Sequence, residues 1–286
     1  MIYEDKVLTK EHIKVEEGDY LCADDHLLYC GRCHTPKQVR IQLNGQPKIM
    51  NCLCRCGTEK RDAEEEAWKR RDRMNRIKRL RVEGLQIPLG RTYTFAHDDG
   101  SNPKMEFARS YVKSWNNCRE KNLGLFLTGG VGSGKTFFAG CIANALIDEG
   151  VPVMMVSIPR MLQTMMALQQ WDLAQYICEI DQYSLLILDD YDPENLTPAQ
   201  RRLLFTIIDR RYGRKQPMII ISARSMEVLK AISKVDVLSE GNLGRILEVC
   251  QPIAFLDKDF RSKRIQSRRE LARTIIGDTR RECHAG

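Results

Sequence analysis

The sequence predicts an α/β fold in which a parallel β-sheet carries helices on both faces. Three observations indicate this fold. A glycine-rich turn at residues 129–136 separates a short apolar run from a helical stretch, a second apolar run at residues 185–188 ends in two aspartates, and strand-like and helix-like segments alternate over residues 123–256. Strands joined through helices pair in parallel, and the helices cover both faces of the resulting sheet.

The glycine-rich turn reads Gly-Gly-Val-Gly-Ser-Gly-Lys-Thr, which is the phosphate-binding pattern G-x-x-x-x-G-K-T. A strand-like run, residues 123–128, precedes it, and a helical stretch from Phe137 to Glu149 follows and is stopped by Gly150. This order places several backbone N–H groups around one point, where the helix dipole also favours an anion. The turn therefore predicts a site for a nucleoside triphosphate, such as ATP.

Two side chains of this turn have predicted roles. Lys135 is expected to contact the β- and γ-phosphates, and the hydroxyl of Thr136 is expected to bind Mg²⁺. The predicted nucleotide-binding residues are Gly129, Gly130, Val131, Gly132, Ser133, Gly134, Lys135 and Thr136.

The second apolar run begins at Ser184 and ends at Asp189 and Asp190. Four consecutive aliphatic residues predict a strand that is buried on both faces. A carboxylate at the carboxyl end of such a strand lies where ligands bind in a parallel α/β sheet. We therefore predict that Asp189 holds Mg²⁺ through its water shell, and that Asp190 orients or deprotonates the attacking water.

The remaining secondary structure follows from hydrophobic period and from cap residues. Helical spacing predicts a helix within residues 105–119, two short helices within 159–183, a helix from Thr197 to Gly213, a helix within 241–249 and a basic helix at about 259–276. Short apolar runs predict strands at 151–157, 217–222 and 252–256.

Composition narrows the class of protein. Of 286 residues, 43% are hydrophobic and 29% are charged, which is typical of a soluble globular protein. The chain has no apolar run of membrane-spanning length, and its first residues lack the order of a signal peptide. Eleven cysteines in such a chain favour a reducing cytoplasm, where clustered thiols are more often metal ligands than disulfides.

Residues 1–58 contain six of the cysteines, arranged in two groups on either side of a hairpin signal at Asn44-Gly45. Two cysteine pairs brought together by a hairpin give the tetrahedral thiolate site that Zn²⁺ prefers. The segment is otherwise poor in apolar residues, so a metal is expected to support its fold. The favoured zinc ligands are Cys30, Cys33, Cys54 and Cys56; Cys52 competes with the last two, and Cys22, His26 and His34 are less favoured.

The chain is expected to contain four parts: a zinc-binding module at 1–58, a charged helical linker at 59–84, a nucleotide-binding domain at 85–262 and a basic tail at 263–286. The net charge of +7 is unevenly distributed. Residues 59–81 carry ten basic and six acidic side chains, and residues 258–286 carry nine and four. Basic segments beside a nucleotide-binding domain suit a partner with a phosphate backbone.

Four blocks of sequence carry a resemblance to a known family. They are Gly129–Thr136, Leu185–Asp190, Leu204–Tyr212, and Leu243–Leu247 leading to Asp259-Phe260-Arg261. With these blocks, residues 85–262 resemble the bacterial and phage helicase loaders of the DnaC/DnaI type, within the AAA+ ATPases. The cysteine module resembles, more loosely, the N-terminal zinc domain of such loaders. The resemblance implies an AAA+ P-loop NTPase fold with ATP, Mg²⁺ and Zn²⁺ as ligands.

The resemblance also implies roles for two arginines. Arg245 corresponds to an arginine finger, which acts on ATP held by a neighbouring subunit, and Arg261 corresponds to the second sensor, which reads ATP in its own subunit. A planar guanidinium suits both roles, because it meets phosphate oxygens with two hydrogen bonds. The implied function is the ATP-dependent delivery of a replicative hexameric helicase onto single-stranded DNA, with self-association in the presence of ATP.

The loaders of this clade contact single-stranded DNA through the segment that corresponds to residues 158–183. Arg160 is the basic residue of that segment in this chain, so we expect modest affinity from the segment itself. The eight basic residues from Arg261 to Arg281 are expected to supply further phosphate contacts.

Two departures from the family pattern bear on hydrolysis. Asp190 stands where the family commonly has Glu, and Ser222-Ala223-Arg224 stands where a strand usually ends in a polar first sensor. We therefore expect slow hydrolysis, with ATP acting mainly as an assembly ligand. The alternatives are a transposition helper ATPase of the IstB type, which binds duplex DNA, and a non-hydrolysing, ATP-sensing adaptor. The cysteine module favours the loader.

Overall fold

The computed structural model describes residues 15–234, 236–255 and 268–275. These residues form two units, which divide between Met74 and Asn75. Arg261 and much of the predicted basic tail lie outside the described residues.

The first unit contains two small antiparallel sheets and the start of a long helix. Asn44 and Gly45 form the predicted hairpin turn, with φ angles of 52° and 77°. Positive φ at both positions is the requirement of a two-residue hairpin turn, which is why this dipeptide signals one. The elements are β1 (Tyr20–Leu21), β2 (Leu28–Tyr29), β3 (Gln38–Leu43), β4 (Gln46–Asn51) and α1 (Arg55–Gly84), which continues into the second unit.

The second unit has the predicted five-stranded parallel sheet. Its strand order is β6-β7-β8-β5-β9, so that the strand before the glycine-rich turn lies inside the sheet. The elements are α2 (Met105–Lys113), α3 (Trp115–Glu120), β5 (Gly124–Gly129), α4 (Lys135–Asp148), β6 (Val153–Ser157), α5 (Ile158–Ala167), α6 (Gln170–Asp181), β7 (Leu185–Asp189), α7 (Pro198–Gly213), β8 (Met218–Ile221), α8 (Met226–Ser233), α9 (Val237–Val249) and β9 (Cys250–Phe255); residues 268–275 are also helical.

Both faces of the sheet are buried, as the aliphatic runs predict. Successive residues of β7 alternate between two apolar cores, with Leu185 and Ile187 in one and Leu186 and Leu188 in the other. Helices α2 and α4 contribute to the first core, and α5, α7 and α9 contribute to the second. The sheet is therefore covered by helices on both faces, which confirms the predicted fold class.

Several predicted boundaries are wrong, for local reasons. The linker helix begins at Arg55 rather than Glu59, so Cys56 lies in its first turn. The helix predicted at 105–119 is two helices that break at Ser114. Helix α9 begins four residues before the predicted start, because the Asp236 carboxylate accepts hydrogen bonds from two backbone N–H groups and caps it. Helix α8 was not predicted.

Arg211 connects the starts of β7 and β8. Its fully buried guanidinium donates hydrogen bonds of 2.6 Å to the carbonyl oxygens of Tyr183 and Pro217. Burial lowers the pKa of Arg211 to about 10, so the group stays charged at neutral pH. Arg211 thus holds the amino-terminal ends of two neighbouring strands together. Polar residues lie at the opposite, carboxyl ends of the same strands.

No helix among the described residues combines the length and the apolar character that crossing a bilayer requires.

Candidate nucleotide-binding site

The glycine-rich turn joins the end of β5 to the start of α4. Gly132 and Gly134 have φ angles of 85° and 91°, a left-handed conformation that glycine adopts without a steric penalty. The helix begins at Lys135, so its first backbone N–H groups have no partner within the helix and point toward the turn. The local geometry is that of an anion-binding helix start.

Lys135 is folded into this turn and is 7% exposed. Its ammonium group donates hydrogen bonds of 2.7 Å to the carbonyl oxygens of Gly129 and Gly130, and one of 3.1 Å to the Ser133 hydroxyl. The turn and its lysine therefore form one hydrogen-bonded unit, with the positive charge held at the helix start.

The predicted magnesium-binding pair meets in the structure. The Thr136 hydroxyl donates a 2.9 Å hydrogen bond to Oδ2 of Asp189, which lies at the carboxyl end of β7. Burial raises the pKa of the Asp189 carboxyl, and the adjacent carboxylate of Asp190 raises it further. A hydroxyl and a carboxylate oxygen fit Mg²⁺, a hard cation that takes oxygen ligands and would favour the ionised form of Asp189.

Asp190 follows in an unusual backbone conformation. Its φ of 61° lies in the left-handed region, and its backbone N–H donates a 2.9 Å hydrogen bond to Oδ1 of Asp189. Left-handed backbone is uncommon outside glycine, and Asp is among the residue types that tolerate it best. The turn places Asp190 at the wall of the same cavity as Lys135 and Thr136.

The residues after β8 are Ser222, Ala223 and Arg224. Ala223 lines the cavity, whereas Ser222 is buried and its hydroxyl donates to the Tyr191 carbonyl oxygen at 2.7 Å. The guanidinium of Arg224 donates hydrogen bonds to two carboxylates in the loop after β7, to Asp192 at 3.2 Å and to Glu194 at 3.1 Å. The side chains at 222 and 224 thus bind the loop after β7.

The cavity at this edge of the sheet has a volume of about 840 Å³. Part of its wall was not predicted, since the segment between Tyr93 and Met105 also lines it. The Tyr93 ring meets the Phe137 ring edge-on, with centroids 5.4 Å apart. No sequence pattern marks this segment, because tertiary packing brings it to the turn. The other unpredicted lining residues are His97, Asp98, Asp99, Ser101, Asn102, Ile221, Arg268 and Leu271.

Arg245, the predicted finger, is not among the residues that line this cavity. It lies on α9, and its Nε is 2.9 Å from Oδ1 of Asp209 on α7. Arg261, the predicted second sensor, lies outside the described residues.

In the first unit, Cys30, Cys33, Cys54 and Cys56 have their four Sγ atoms within 4.8 Å of one another. Zn–S bonds of about 2.3 Å in a tetrahedron require sulfurs about 3.8 Å apart, so the cluster fits Zn²⁺. The backbone N–H of Cys56 lowers the pKa of Cys33 to about 5. Conversely, contact with the Cys54 thiol raises the pKa of Cys56 to about 12. Neighbouring thiolates repel one another, and a bound cation relieves that repulsion.

The competing ligands lie outside this cluster. Cys52 is exposed, and its thiol donates to the Pro36 carbonyl oxygen at 3.5 Å. The ring of His34 contacts the Tyr20 hydroxyl at 3.2 Å. Cys22 and His26 are also absent from the four-sulfur cluster.

A phosphate-binding turn and a strand-end aspartate, joined on a five-stranded parallel sheet, define a P-loop nucleotide-binding protein. Within that class, the chain belongs to the family of IstB-like ATP-binding proteins, whose model matches residues 63–270.

The chain is similar to several curated proteins. The replicative helicase loader DnaI of Bacillus subtilis is 29% identical over 143 residues, which cover 48% of this chain and 46% of that protein. A putative insertion sequence ATP-binding protein of Sinorhizobium fredii is 31% identical over 160 residues, which cover 55% of this chain and 52% of that protein. The matched region is therefore about half the length of each of these relatives.

Among solved structures, the crystal structure of DnaI has a TM-score of 0.51 at 20% identity and covers 62% of this chain and 95% of that chain. At this level of identity the likeness concerns the fold. The four-cysteine cluster lies before the region that the family model matches.

Proposed function

We propose that this protein is an ATP-dependent loader that delivers a replicative hexameric helicase onto single-stranded DNA. The observation that carries the proposal is the four-cysteine cluster in a unit that precedes the ATP-binding domain. A separate module before the ATP-binding domain offers a surface for a protein partner, which a loader requires. The relatives named helicase loaders support this choice.

Nucleotide binding rests on the turn and on the strand-end acids. Lys135 would pair with the β- and γ-phosphates, and Thr136 and Asp189 would hold Mg²⁺, which supplies positive charge to the phosphates when bound. Asp190 would orient or deprotonate the attacking water from its place on the cavity wall. Since Asp190 is short and Ala223 offers no polar atom, we propose that hydrolysis is slow.

Assembly of several copies of the chain would complete the ATP site. We propose that Arg245 acts on ATP held by a neighbouring copy, and that Arg261 contacts ATP within its own chain. ATP would then hold copies together, and hydrolysis would release them. The support for Arg245 is its place on α9, where its side chain is 29% exposed and does not line its own cavity.

The cysteine module would bind one Zn²⁺ and contact the helicase. Residues 1–58 carry eight basic and eight acidic side chains, so they have no excess charge with which to hold a phosphate backbone. A zinc site presents rigid loops from a short chain, which suits protein recognition.

Single-stranded DNA would be held mainly by the basic tail. Arg160, the basic residue of the segment at 158–183, donates a 2.8 Å hydrogen bond to the Gln86 carbonyl oxygen through Nη1, so the segment offers a single basic side chain that is already partly engaged. The tail residues Arg269 and Arg273 are exposed, and they are suited to phosphate contacts that weaken as salt is added.

One experiment tests the proposal directly. ATP turnover should be measured with single-stranded DNA, with duplex DNA, and with each in the presence of the host's replicative helicase. The proposal expects a stable complex with helicase in ATP and turnover that responds to single-stranded DNA. A response to duplex DNA without helicase binding would instead favour a transposition helper, which the relative from Sinorhizobium fredii supports. Helicase binding in ATP without any turnover would favour an ATP-sensing adaptor.

A further inference from the structure

Helix α7 holds the guanidinium of Arg245 on two sides. The guanidinium carbon lies 4.7 Å from the centre of the Phe205 ring and 5.9 Å from that of Tyr212. Nε lies 2.9 Å from Oδ1 of Asp209 in an ion pair, although its N–H is not aligned for a hydrogen bond. An arginine stacked on an aromatic ring and paired with a carboxylate has fewer accessible orientations than a free surface arginine.

Gly241, one turn before Arg245 on α9, makes room for this arrangement. Nη1 of Arg245 donates a 3.2 Å hydrogen bond to the Gly241 carbonyl oxygen. A Cβ at position 241 would lie 3.2 Å from that Nη1 and 3.3 Å from an edge atom of the Phe205 ring. These separations are shorter than ordinary contacts, so a side chain at 241 would shift the guanidinium or the Phe205 ring by a few tenths of an ångström.

One part of the guanidinium remains available. Nη1 donates to the Gly241 carbonyl oxygen and Nε lies beside Asp209, whereas Nη2 makes no hydrogen bond within the described part of the chain. The side chain as a whole is 29% exposed. A held guanidinium whose Nη2 makes no hydrogen bond among the described residues is a preorganised donor for a phosphate oxygen that arrives from outside the chain.

We infer that Phe205 and Asp209 are positioning residues, which orient Arg245 toward the nucleotide of a neighbouring copy while Gly241 leaves space for its guanidinium. The inference rests on the proposed role of Arg245 in trans. It adds that the orientation is built by α7 of the same chain before subunits meet. Asp209 is therefore a support that stays in place, rather than a competitor that must be displaced.

The first test compares the kcat of variants at Asp209 with the kcat of a variant in a control ion pair. Arg201 and Asp236 also connect α7 with α9, at 2.8 Å, and take no part in holding Arg245. Asp209→Asn should lower kcat of the assembled protein about 10-fold through misplacement of the guanidinium, with ATP affinity and assembly unchanged. Asp209→Glu should recover part of the loss, and Arg201→Gln should leave kcat at the wild-type value.

The second test uses two glycines of the same helix. Gly241→Ala and Gly244→Ala raise helix propensity by a similar amount. A Cβ at Gly244 would meet nothing within 4 Å among the described residues. Gly241→Ala should therefore lower kcat, whereas Gly244→Ala should not.

The reference variant is Arg245→Ala, which should lose about 10³-fold or more in kcat if the arginine acts as a finger. Unchanged kcat in Arg245→Ala would defeat the proposed function of that residue, and this inference with it. A large loss in Arg245→Ala with wild-type or raised kcat in Asp209→Asn would overturn the inference alone. Equal losses in Asp209→Asn and Arg201→Gln would also overturn it, because they would indicate general α7–α9 packing.

Discussion

The hydroxyl of Thr136 donates its 2.9 Å hydrogen bond to the carboxylate of Asp189 across 53 positions of sequence. The bond joins the first turn of α4 to the carboxyl end of β7. The two oxygens suited to Mg²⁺ are therefore adjacent in the chain itself, and binding the ion requires little rearrangement of the backbone.

Lys135→Ala should weaken ATP binding about 100-fold, since hydrogen bonds to charged groups contribute about 1.5–3 kcal/mol each. The fold should persist, because the lysine contacts the turn rather than either apolar core. Titration with a fluorescent ATP analogue measures the affinity, and circular dichroism measures the fold. Lys113→Ala, a change at an exposed lysine of α2, is the control. Wild-type affinity in Lys135→Ala would remove the basis of the nucleotide site.

Asp189→Asn should stabilise the ligand-free protein at neutral pH while weakening its Mg²⁺-dependent ATP binding. The pKa of Asp189 is raised in the folded state, so the folded chain holds this proton more tightly than the unfolded chain. The wild-type protein therefore loses stability as pH rises from the ordinary value of 3.8 through the raised pKa, and asparagine does not.

Thermal unfolding of both proteins across the acid-to-neutral range measures this difference. The two melting temperatures should lie close together at acid pH and separate as pH rises, with Asp189→Asn the higher. A lower melting temperature for Asp189→Asn at neutral pH would show that hydrogen bonds to the carboxylate outweigh the effect of its burial.

Cys30→Ser combined with Cys33→Ser should abolish zinc binding and helicase capture, while ATP binding survives. The two thiols contribute half of the four-sulfur cluster, and the ATP site lies in the other unit. Elemental analysis of the purified protein should find one Zn²⁺ per wild-type chain and none in the double variant. Cys52→Ser is the matched control, because that thiol is exposed and outside the cluster. Loss of zinc in Cys52→Ser alone would contradict the assigned ligand set.

Arg269→Gln combined with Arg273→Gln should reduce the salt dependence of binding to single-stranded DNA. Removing two phosphate contacts should lower the slope of log affinity against log salt by about 1.4, at about 0.7 per contact. Fluorescence anisotropy at several salt concentrations measures the slope. Arg119→Gln with Lys121→Gln, at exposed positions before β5, controls for net charge. Equal slopes in the wild type and in the tail variant would place the contacts elsewhere.

The sheet and the nucleotide site were predictable because each depends on a local pattern. The glycines of the turn and the aliphatic run before Asp189 each determine an element and the polar group at its end. Parallel pairing then brings those ends to the same edge of the sheet. The hairpin at Asn44-Gly45 was predictable for the same reason, since its two positive φ angles favour this dipeptide.

The contacts that sequence reasoning missed are those that tertiary packing creates. Tyr93 reaches the cavity wall through the Phe137 ring, and no spacing in its segment indicates that. The pairing of Asp209 with Arg245 joins helices α7 and α9, whose faces become neighbours when both cover the same side of the sheet. The role of Asp236 as the cap of α9 was missed for a different reason. A single cap residue before a stretch with weak helical periodicity is not enough to predict where a helix begins.

The left-handed backbone at Asp190 limits the residue types that this position accepts without strain. In this conformation the Cβ lies close to the following carbonyl oxygen, at a cost of about 1–2 kcal/mol for most residues, whereas Asp, Asn and Gly accept it more readily. The residue type at position 190 therefore depends on the backbone conformation at that position. A glutamate introduced there would carry this strain in addition to its longer side chain, so exchanging the acid at position 190 changes the stability of the turn together with the position of the carboxylate.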